Sequence, residues 1–509
     1  MSAVVCSAAQ AAARDAACIA AGTPSLDLMH RAGSGAARVL LQESATRQGP
    51  VLVFCGPGNN GGDGWVVAAG LAGAGVRVHV REVAPARTPD AVTAREAALP
   101  LVSRDLPADR PALVVDALLG TGAQGALRPP IAAGAWEMAA LRARGVRVVA
   151  LDLPTGLDAT TGVAANGTVP ADRTIAFGTV KRGHLLARST CGELLVLDIG
   201  LGPHADLDDG APALVDDAWC AGVVPPLVAE AHKGTRGRVL VVGGAVGMAG
   251  APALAARGAL RAGVGMVRLA VHPASLAAVQ ALVAEATAVP WPGSAGAPPL
   301  DLRWPHAVLV GPGLGGEARA VVEGVLADWR GPVVLDADAL NVFAGDVPAL
   351  AAALGGRAAL LTPHPVECAR VLGEPVDHVL AGRFDVVRAL AGATGAAVLL
   401  KGVPTLVAAP DGRMRAVAAG TPALATAGSG DLLAGIAATL LAQGLAPLDA
   451  GACAAHVHGR AAERAGEGRP LRGLTLDDVV QHLGRAWALG TRPPDGALAH
   501  LPAVGERAT

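Results

Sequence analysis

Aromatic residues are nearly absent from the sequence, which contains no tyrosine and only 2% aromatic residues in 509. A core without large rings must be filled by small and branched aliphatic side chains, which suits parallel β-sheets covered by alanine-rich helices. The hydrophobic fraction of 52%, against 17% charged residues, is typical of a folded chain and not of a disordered one. The composition therefore favours the α/β fold class.

Basic charge, long apolar runs and paired cysteines are also lacking. A net charge of −2 does not provide the basic surface that nucleic-acid binding requires. The longest apolar run, at 432–442, is too short to span a bilayer, and the first residues do not resemble a signal peptide. The seven cysteines are scattered and include no CxxC pair. We expect a cytoplasmic protein with free thiols and neither a nucleic-acid nor a membrane partner.

The length and the strand pattern predict two domains, because a single core stops growing well below this size. Short β-branched or leucine-rich runs alternate with alanine-rich stretches, as in βαβ units. The first series of predicted strands comprises 51–55, 76–80, 113–120, 146–154 and 193–200. The second comprises 238–244, 266–271, 307–313, 332–340, 358–365 and 397–402, followed by a hairpin with an Asp-Gly turn. The predicted domains are 1–215 and 222–490, followed by a loose tail.

Polar residues follow most of these strands, at the edge of an open α/β sheet where ligands bind. The run GPGNNGGDG at 56–64 matches GxGxxG, as does GPGLGG at 311–316, but this pattern alone is weak. Glu82 provides a possible ribose-binding acid, so a nicotinamide-dependent dehydrogenase stays open. A plain turn does not require the asparagines and the aspartate of 59–63, which supply oxygen ligands and donors.

Three motifs in the first half are NNGGDG (59–64), DALLGTG (116–122) and DLPTGLD (152–158). In order and spacing they resemble the epimerase domain of the bifunctional NAD(P)H-hydrate repair enzymes, over about residues 10–210. The resemblance implies a Rossmann-like three-layer αβα domain in which Asn60, Asp116 and Thr155 hold K⁺. Asp152 would move a proton at the C6 hydroxyl of the substrate. The implied substrate contacts are Asn59, Asn60, Gly61, Gly62, Asp63, Gly120, Thr121, Gly122, Ala123, Gln124, Gly125, Ala126 and Asp152.

Simpler interpretations of this half stay open. Asp152 is also compatible with a helix cap after Pro154, and Lys181, a weaker candidate for the same pocket, with a solvated surface lysine. Thr155 stands where the family often has serine, which keeps the hydroxyl. His30 replaces a glutamate of the family and leaves the role of that position in doubt.

In the second half, the run TAGSGD at 426–431 opens an apolar helical stretch. Small residues at a helix start expose backbone NH groups to an anion, whereas an aspartate there is often only a cap. The run resembles the ribokinase-like fold, in which this aspartate is the base. Together with HKG (232–234), GPGLG (311–315), DADALN (336–341), LTPHP (361–365) and KGVPT (401–405), it is similar to the NAD(P)H-hydrate dehydratases over about residues 225–490.

That resemblance implies a ribokinase-like αβα domain with Asp431 as the catalytic base and Mg²⁺ bridging the phosphates of ADP or ATP. The sequence does not choose between ADP and ATP. Bacterial members of the family generally use ADP, and because the Gly/Ala/Arg-rich composition is typical of a high-GC bacterial gene, the resemblance implies ADP. His364 is also compatible with a structural turn and Lys401 with a surface position, while Pro404 and Val366 stand where the family often has glycine. The implied substrate contacts are Ala251, Gly313, His364 and Asp431, and the implied nucleotide contacts are Lys401, Gly402, Val403, Pro404, Thr405 and Gly430.

The two resemblances together imply a metabolite-repair enzyme, and the family suggests a homo-oligomer. It would interconvert the R and S hydrates of NADH and NADPH, then dehydrate the S form with ADP or ATP, giving NAD(P)H, phosphate and AMP or ADP. The main alternative is a kinase of a small hydroxylated metabolite whose N-terminal domain is a regulatory nucleotide-binding module. A dehydrogenase and a non-catalytic dinucleotide sensor rank lower, the sensor because of Asp431.

Overall fold

The computed structural model describes residues 3–291, 300–490 and 496–504, which form two compact α/β units. The N-terminal unit contains residues 3–213 and 496–504. The C-terminal unit contains the described residues from 214 to 490. The α/β fold class with two domains is thus confirmed. All seven cysteines are free and buried. Within the described ranges, no helix has both the length and the apolar character needed to cross a bilayer.

The described strands are, in chain order, β1 (Val5–Cys6), β2 (Val51–Cys55), β3 (Val78–Glu82), β4 (Leu113–Ala117), β5 (Arg147–Leu151), β6 (Arg173–Phe177), β7 (Val180–Lys181), β8 (Glu193–Leu197), β9 (Ala213–Leu214), β10 (Arg238–Val242), β11 (Met266–Val271), β12 (Thr287–Pro290), β13 (Ala307–Val310), β14 (Val333–Leu335), β15 (Ala359–Leu361), β16 (Ala397–Leu400), β17 (Thr405–Ala408), β18 (Met414–Val417) and β19 (Ala497–Leu501).

The α-helices are α1 (Ala8–Ala20), α2 (Ser25–Gln42), α3 (Asn59–Gly73), α4 (Pro89–Ala98), α5 (Pro129–Ala143), α6 (Arg182–Leu186), α7 (Arg188–Cys191), α8 (Asp217–Val223), α9 (Gly250–Arg261), α10 (Leu276–Leu282), α11 (Ala318–Asp328), α12 (Asp338–Asn341), α13 (Val347–Leu354), α14 (Pro365–Leu372), α15 (Val376–Ala381), α16 (Arg383–Thr394), α17 (Ser429–Ala442), α18 (Pro447–Gly466) and α19 (Leu476–Ala486).

The N-terminal unit is built on a seven-stranded sheet in the order β19-β8-β6-β5-β4-β2-β3. Its strands are parallel except for β19, which pairs antiparallel with β8. From β2 the chain places β3 on one side and then β4 on the other, so the strand order switches between β2 and β4. Loops after two such strands diverge and leave a crevice at their carboxyl ends.

Both faces of this sheet are covered, because every residue of β2 and β4 is buried. Val51 and Val53 of β2 point into a core with Trp65 of α3. Leu52 of β2 points the other way, into a second core with Met138 of α5. Strands that bury both faces are uniformly apolar, as the run VLVFC is. The unit therefore has the three αβα layers expected from the sequence.

The C-terminal unit has a ten-stranded sheet in the order β12-β11-β10-β13-β14-β15-β16-β17-β18-β9. The strands from β12 to β16 are parallel, and β17 and β18 form the predicted antiparallel hairpin. All residues of β13, β14, β15 and β16 are buried, so both faces are covered here as well. The order switches between β10 and β13, where the loops 243–249 and 311–317 begin.

The structure adds strands that the local pattern did not predict. The strands β6 and β12 were missed, and β3 begins two residues later than expected. The prediction of a loose tail is wrong for residues 497–501, which pair with β8. This pairing joins positions about three hundred residues apart in sequence, so no local pattern reveals it. The rest of the predicted tail, 491–495 and 505–509, lies outside the described residues.

Candidate active sites

The glycine-rich loop after β2 is shaped by contact with the loop after β4. A Cβ atom on Gly56 would lie 1.8 Å from the Leu118 carbonyl oxygen, and one on Gly61 would lie 2.0 Å from the Gly56 oxygen. Neither position has room for a side chain, which explains two of the glycines. Helix α3 begins at Asn59, within the glycine-rich run, so NNGGDG forms its first turns. The close approach places Asn60 against the end of β4.

Asn60, Asp116 and Thr155 form one hydrogen-bonded cluster, the cation cluster. The Thr155 hydroxyl donates to Asp116 Oδ1 at 2.6 Å, and the Thr155 backbone NH donates to Asp116 Oδ2 at 2.8 Å. The Leu119 backbone connects the third member, because its carbonyl accepts from Asn60 Nδ2 at 2.9 Å and its NH donates to Thr155 Oγ1 at 3.1 Å. The structure thus brings together the three residues that the sequence proposed for K⁺.

The cation cluster contains unmet bonding capacity. Asn60 Oδ1 is buried and has no hydrogen-bond partner in the part of the chain that the structure describes. The Asp116 carboxyl is fully buried, and burial raises its pKa despite the hydrogen bonds from Thr155 and Leu118. No cationic side chain in the described ranges compensates its charge. An orphaned amide oxygen beside an uncompensated carboxylate and a hydroxyl is a donor set that fits a hard monovalent cation.

Asp152 lies at the end of β5 and is held on both carboxylate oxygens. Lys181 Nζ donates to Oδ1 at 2.6 Å, and the Thr121 NH donates to Oδ2 at 2.9 Å. Burial opposes ionisation of Asp152, but the charge and hydrogen bond of Lys181 outweigh it and lower the pKa. Asp152 does not cap a helix, and Lys181 is 3% exposed, so the cap and surface-lysine interpretations are both wrong.

His184 fixes the backbone around this ion pair. Asp152 has a φ of 60°, a left-handed conformation that is unfavourable for a non-glycine residue. Its carbonyl accepts from His184 Nε2 at 2.7 Å, while His184 Nδ1 accepts from the Lys181 NH at 3.1 Å. Burial lowers the pKa of His184 to about 3, so the ring is neutral. Sequence reasoning missed this residue, whose only signal is its position three residues after Lys181.

A cavity of 730 Å³ joins these groups in the N-terminal unit. Its lining includes Asp15, Asp63, Asp152 and Lys181. Of the predicted substrate contacts, Asn59, Asn60, Asp63, Gly120, Thr121, Gly122, Ala123 and Asp152 line it. The predicted contacts Gln124, Gly125 and Ala126 line a second cavity of 290 Å³, together with Ala123. Gly61 and Gly62 are buried in the first turn of α3.

In the C-terminal unit, Lys401 lies among carboxylates at the carboxyl end of the sheet. Its Nζ is 3.0 Å from Asp336 Oδ1 and 3.6 Å from Glu367 Oε2. Burial opposes the charge of Lys401, but these two carboxylates hold its pKa above the usual value. A Cβ on Gly430 would lie 3.1 Å from Lys401 Nζ, so the lysine touches the first turn of α17. The surface interpretation of Lys401 is therefore wrong.

Asp431 faces the same group of charges, which we call the carboxylate cluster (Asp336, Glu367, Lys401 and Asp431). Burial raises the pKa of Asp431 to about 7, with further contributions from the charges of Asp336 and Glu367. The N-cap of α17 is Gly428, and no side chain caps this helix. Asp431 is therefore not the helix cap that the sequence left open. An aspartate whose pKa lies near neutrality is suited to general-base work.

His364 has the structural role that the sequence left open. Its Nδ1 accepts hydrogen bonds from the Val366 NH at 3.1 Å and the Glu367 NH at 3.2 Å, which caps α14. Glu367 Oε2 accepts the His364 NH at 2.8 Å in return. The His364 side chain is still 45% exposed, so one edge of the ring remains accessible to a ligand.

Ala251 and Gly313 meet at the switch between β10 and β13. A Cβ on Gly313 would lie 3.2 Å from that of Ala251, so the two predicted substrate contacts are neighbours. Gly315, two positions after Gly313, donates its NH to Asp338 Oδ2 at 2.9 Å, and the charge of Asp338 also acts on Asp431. Sequence reasoning gave no role to Asp336 and missed Glu367, whose only signal was its place three residues after His364.

Each of the two units matches a known protein family. Residues 239–485 match the family model described as NAD(P)H-hydrate dehydratase, and residues 25–183 match that of the YjeF-related protein N-terminus. A bifunctional NAD(P)H-hydrate repair enzyme of Salinibacter ruber is 38% identical to the chain, over 92% of this chain and 93% of that protein. The chain belongs to the family of bifunctional NAD(P)H-hydrate repair enzymes.

A second bifunctional repair enzyme is similar over most of the chain, and a solved dehydratase is similar over about half of it. That of Escherichia coli K12 is 32% identical over 90% of this chain and 89% of its own. A crystal structure of the Bacillus subtilis ADP/ATP-dependent NAD(P)H-hydrate dehydratase, co-crystallised with ATP/Mg²⁺, has a TM-score of 0.47 and 29% identity. The match covers 53% of this chain and 95% of the Bacillus subtilis chain. This chain is an enzyme of the repair family with an epimerase-type and a dehydratase-type unit.

Proposed function

We propose that the N-terminal unit interconverts the R and S hydrates of NADH and NADPH, and that the C-terminal unit dehydrates the S form with ADP or ATP. One observation supports both assignments. Each unit places an aspartate near a lysine at the carboxyl edge of its sheet: buried Asp152 pairs with buried Lys181, and half-buried Asp431 interacts with the charge of half-buried Lys401. Lys181 outweighs burial and lowers the pKa of Asp152, whereas burial and the charge of Asp336 raise the pKa of Asp431 to about 7 against the attraction of Lys401. An acid–base group at the carboxyl edge of an open α/β sheet is expected of proton-transfer catalysis.

In the N-terminal unit, Asp152 acts on the C6 hydroxyl. Lys181 and Thr121 keep the Asp152 carboxylate ionised at neutral pH, so it can accept the hydroxyl proton. C6 is a hemiaminal carbon: loss of that proton forms a carbonyl as the bond from C6 to N1 breaks. Closure on the opposite face of the carbonyl inverts the centre. The bound phosphates would lie against the first turn of α3 and the loop from Gly120.

We propose that Asn60, Asp116 and Thr155 hold a potassium ion. The orphaned Asn60 Oδ1 and the uncompensated charge of Asp116 support this assignment. When bound, the ion supplies positive charge beside the substrate phosphates. The cluster also positions the Leu119 backbone, two residues before the Thr121 donors to Asp152.

In the C-terminal unit, Asp431 takes the C6 hydroxyl proton while the terminal phosphoryl group of the nucleotide is transferred to that oxygen. Phosphate then leaves with the electrons of its bond to C6, assisted by N1. Loss of a C5 proton restores the dihydropyridine ring. Among the described residues no side chain caps α17, so we expect backbone NH groups of its first turn to stabilise the transferring group.

The nucleotide is proposed to lie along Lys401, Gly402, Val403, Pro404, Thr405 and Gly430. Arg383 contacts this loop, because its Nη1 donates a hydrogen bond to the Val403 carbonyl at 2.8 Å. Val403 is 57% exposed, which leaves an apolar surface for a base. Asp336 and Glu367 are already paired with Lys401. We therefore propose that Mg²⁺ is held mainly by the nucleotide phosphates and enters with them.

The further assignments follow the family. We propose a cytoplasmic homo-oligomer whose functional domains are 1–215 and 222–490. The seven free thiols support a reducing compartment. Light scattering of the purified chain tests the oligomer, and a monomer at micromolar concentration would contradict it.

The decisive experiment gives the purified chain a mixture of R and S hydrates with K⁺, Mg²⁺ and either ADP or ATP. Recovery of the reduced-nicotinamide absorbance from the whole mixture supports both activities. Recovery of the S fraction alone shows that the N-terminal unit does not epimerise. A stable phosphorylated product without recovery would favour the kinase alternative, and no reaction with either nucleotide would refute the proposal.

A further inference from the structure

Asp63 is a second acidic residue of the 730 Å³ cavity, in surroundings that differ from those of Asp152. The Asp152 carboxylate accepts hydrogen bonds from Lys181 and from Thr121. Within the described ranges, no protein group donates a hydrogen bond to the Asp63 side chain. The charged groups that act on Asp63 are Asp152, Asp15 of α1 and Lys181. Asp152 thus has the surroundings of an ion and Asp63 those of a neutral carboxyl group.

The protonation of the two carboxyls differs accordingly. Burial raises the pKa of Asp63 well above its usual value, and the negative charges of Asp152 and Asp15 add to this and outweigh the attraction of Lys181. The pKa of Asp152 is lowered by Lys181 instead. Two carboxyl groups in one cavity whose environments favour opposite protonation states form an acid and base pair.

We propose that Asp63 is the general acid of the epimerase site and the partner of the Asp152 base. This assignment rests on the proposed epimerase function. In the opening step, Asp152 takes the proton of the C6 hydroxyl, the bond from C6 to N1 breaks, and Asp63 gives its proton to N1. After rotation about the bond to C6, N1 attacks the other face of the carbonyl. The N1 proton then returns to Asp63, and Asp152 returns its proton to the oxygen.

This role distinguishes Asp63 from the other residues of the run 59–63, which are expected to contact the phosphates. The pyrophosphate is expected against 59–63, where backbone NH groups begin α3. An ionised carboxylate at Asp63 would repel that anion, whereas a protonated carboxyl does not. A neutral acid within the cavity is compatible with both the phosphates and the proton transfer.

The test replaces Asp63 with asparagine, which has a similar shape and can donate a hydrogen bond but cannot transfer a proton. Pure S hydrate is supplied without nucleotide, so that only epimerisation is measured, and the R form is followed by chromatography. We expect Asp63→Asn to lower kcat by about 100-fold or more while KM changes little. The kcat/KM of the wild type should fall at alkaline pH as Asp63 loses its proton, and Asp63→Asn should lack this alkaline limb.

Two further variants complete the design. Asp63→Glu restores a transferable proton and should recover part of the rate together with a displaced alkaline limb. Asp27→Asn, an exposed aspartate in the first turn of α2, is the matched control. If Asp63→Asn does not fold, the pH profiles of kcat/KM for the wild type and Asp63→Glu decide the question. The assignment is overturned if neither profile has an alkaline limb or if the two limbs coincide.

Failure of this assignment is distinguishable from failure of the proposed function. A wild type that does not accelerate interconversion of the hydrates refutes epimerase activity. If the wild type accelerates the interconversion and the Asp63→Asn variant keeps the same rate and the same alkaline limb, only the role of Asp63 is refuted.

Discussion

Lys181 Nζ lies 2.6 Å from Asp152 Oδ1, although the two residues are 29 positions apart in the chain. The same lysine donates to the Phe177 carbonyl at 2.9 Å, so its ammonium is saturated with acceptors while buried. A buried lysine is stable only with such compensation. The pair keeps Asp152 ionised in a cavity where burial alone would protonate it, and the following predictions depend on this control of charge.

Removing either proposed base should abolish one reaction and leave the other intact. We expect Asp431→Asn to lower dehydration of the S hydrate by about 10² to 10⁴-fold without changing epimerisation. Asp152→Asn should do the reverse. Separate assays of the two reactions check this, and a variant that retained its own reaction would contradict that residue's role.

The dehydratase should lose kcat/KM as the pH falls below about 7, because Asp431 must be ionised to act as a base. Lys401→Met removes an attractive charge and unpairs two carboxylates, so the acid limb should move to higher pH. Asp336→Asn removes a repulsive charge, so the limb should move to lower pH. Lys401→Arg keeps the charge and is the control. Shifts in the same direction for the Met and Asn variants would contradict the electrostatic coupling.

Potassium should stabilise the N-terminal unit through the Thr155 hydroxyl. In the wild type we expect KCl to raise the melting temperature more than the chloride salt of a larger cation does at the same concentration. Thr155→Val removes Oγ1 and should eliminate the difference, whereas Thr155→Ser keeps the hydroxyl and should preserve it. Calorimetry without substrate gives this readout independently of activity. An equal response in the Val and Ser variants would argue against a cation at this cluster.

His184 should make the N-terminal unit sensitive to acid. Its pKa in the folded chain, about 3, lies below the usual value, so its contribution to stability is full above pH 6.5 and falls with decreasing pH. The loss should approach about 1.4 kcal/mol for each pH unit between those values. His184→Gln, which retains a donor and an acceptor, should remove this slope. His184→Leu should destabilise at all pH values by about 1–3 kcal/mol for each unsatisfied backbone group. Unfolding between pH 4 and 8 measures both effects.

Gly61 and Gly58 are a matched pair of substitution sites in the glycine-rich run 56–64. A Cβ on Gly61 would meet the Gly56 carbonyl oxygen at 2.0 Å, whereas one on Gly58 would meet no atom within 4 Å. Gly61→Ala should therefore lower the free energy of unfolding by at least about 1–3 kcal/mol, as overpacking does, and reduce epimerase activity. Gly58→Ala should leave stability nearly unchanged. Similar melting temperatures for the two variants would show that the loop can relax.

Several parts of the fold and of the sites were predictable because they depend on local patterns. The buried strands are mostly apolar, and a glycine or a polar residue stands at or near the carboxyl end of each of β2, β4 and β5, so these strands and the positions of Asn60, Asp116 and Asp152 could be derived from the sequence. The strand β6 was missed although its residues are mostly buried. The tail strand β19 could not be found because its stability comes from β8, a distant partner.

Local sequence determined the residue types at the strand ends and the order of the elements, since turn geometry and hydrophobic burial act over a few neighbouring positions. Only the tertiary structure decided which charges face each other. It paired Lys181 with Asp152, placed Lys401 among Asp336 and Glu367, and left the Asp63 side chain without a hydrogen-bond donor among the described residues. Protonation depends on burial and on charges contributed by separate strands and helices, and these distances exist only once the chain is folded.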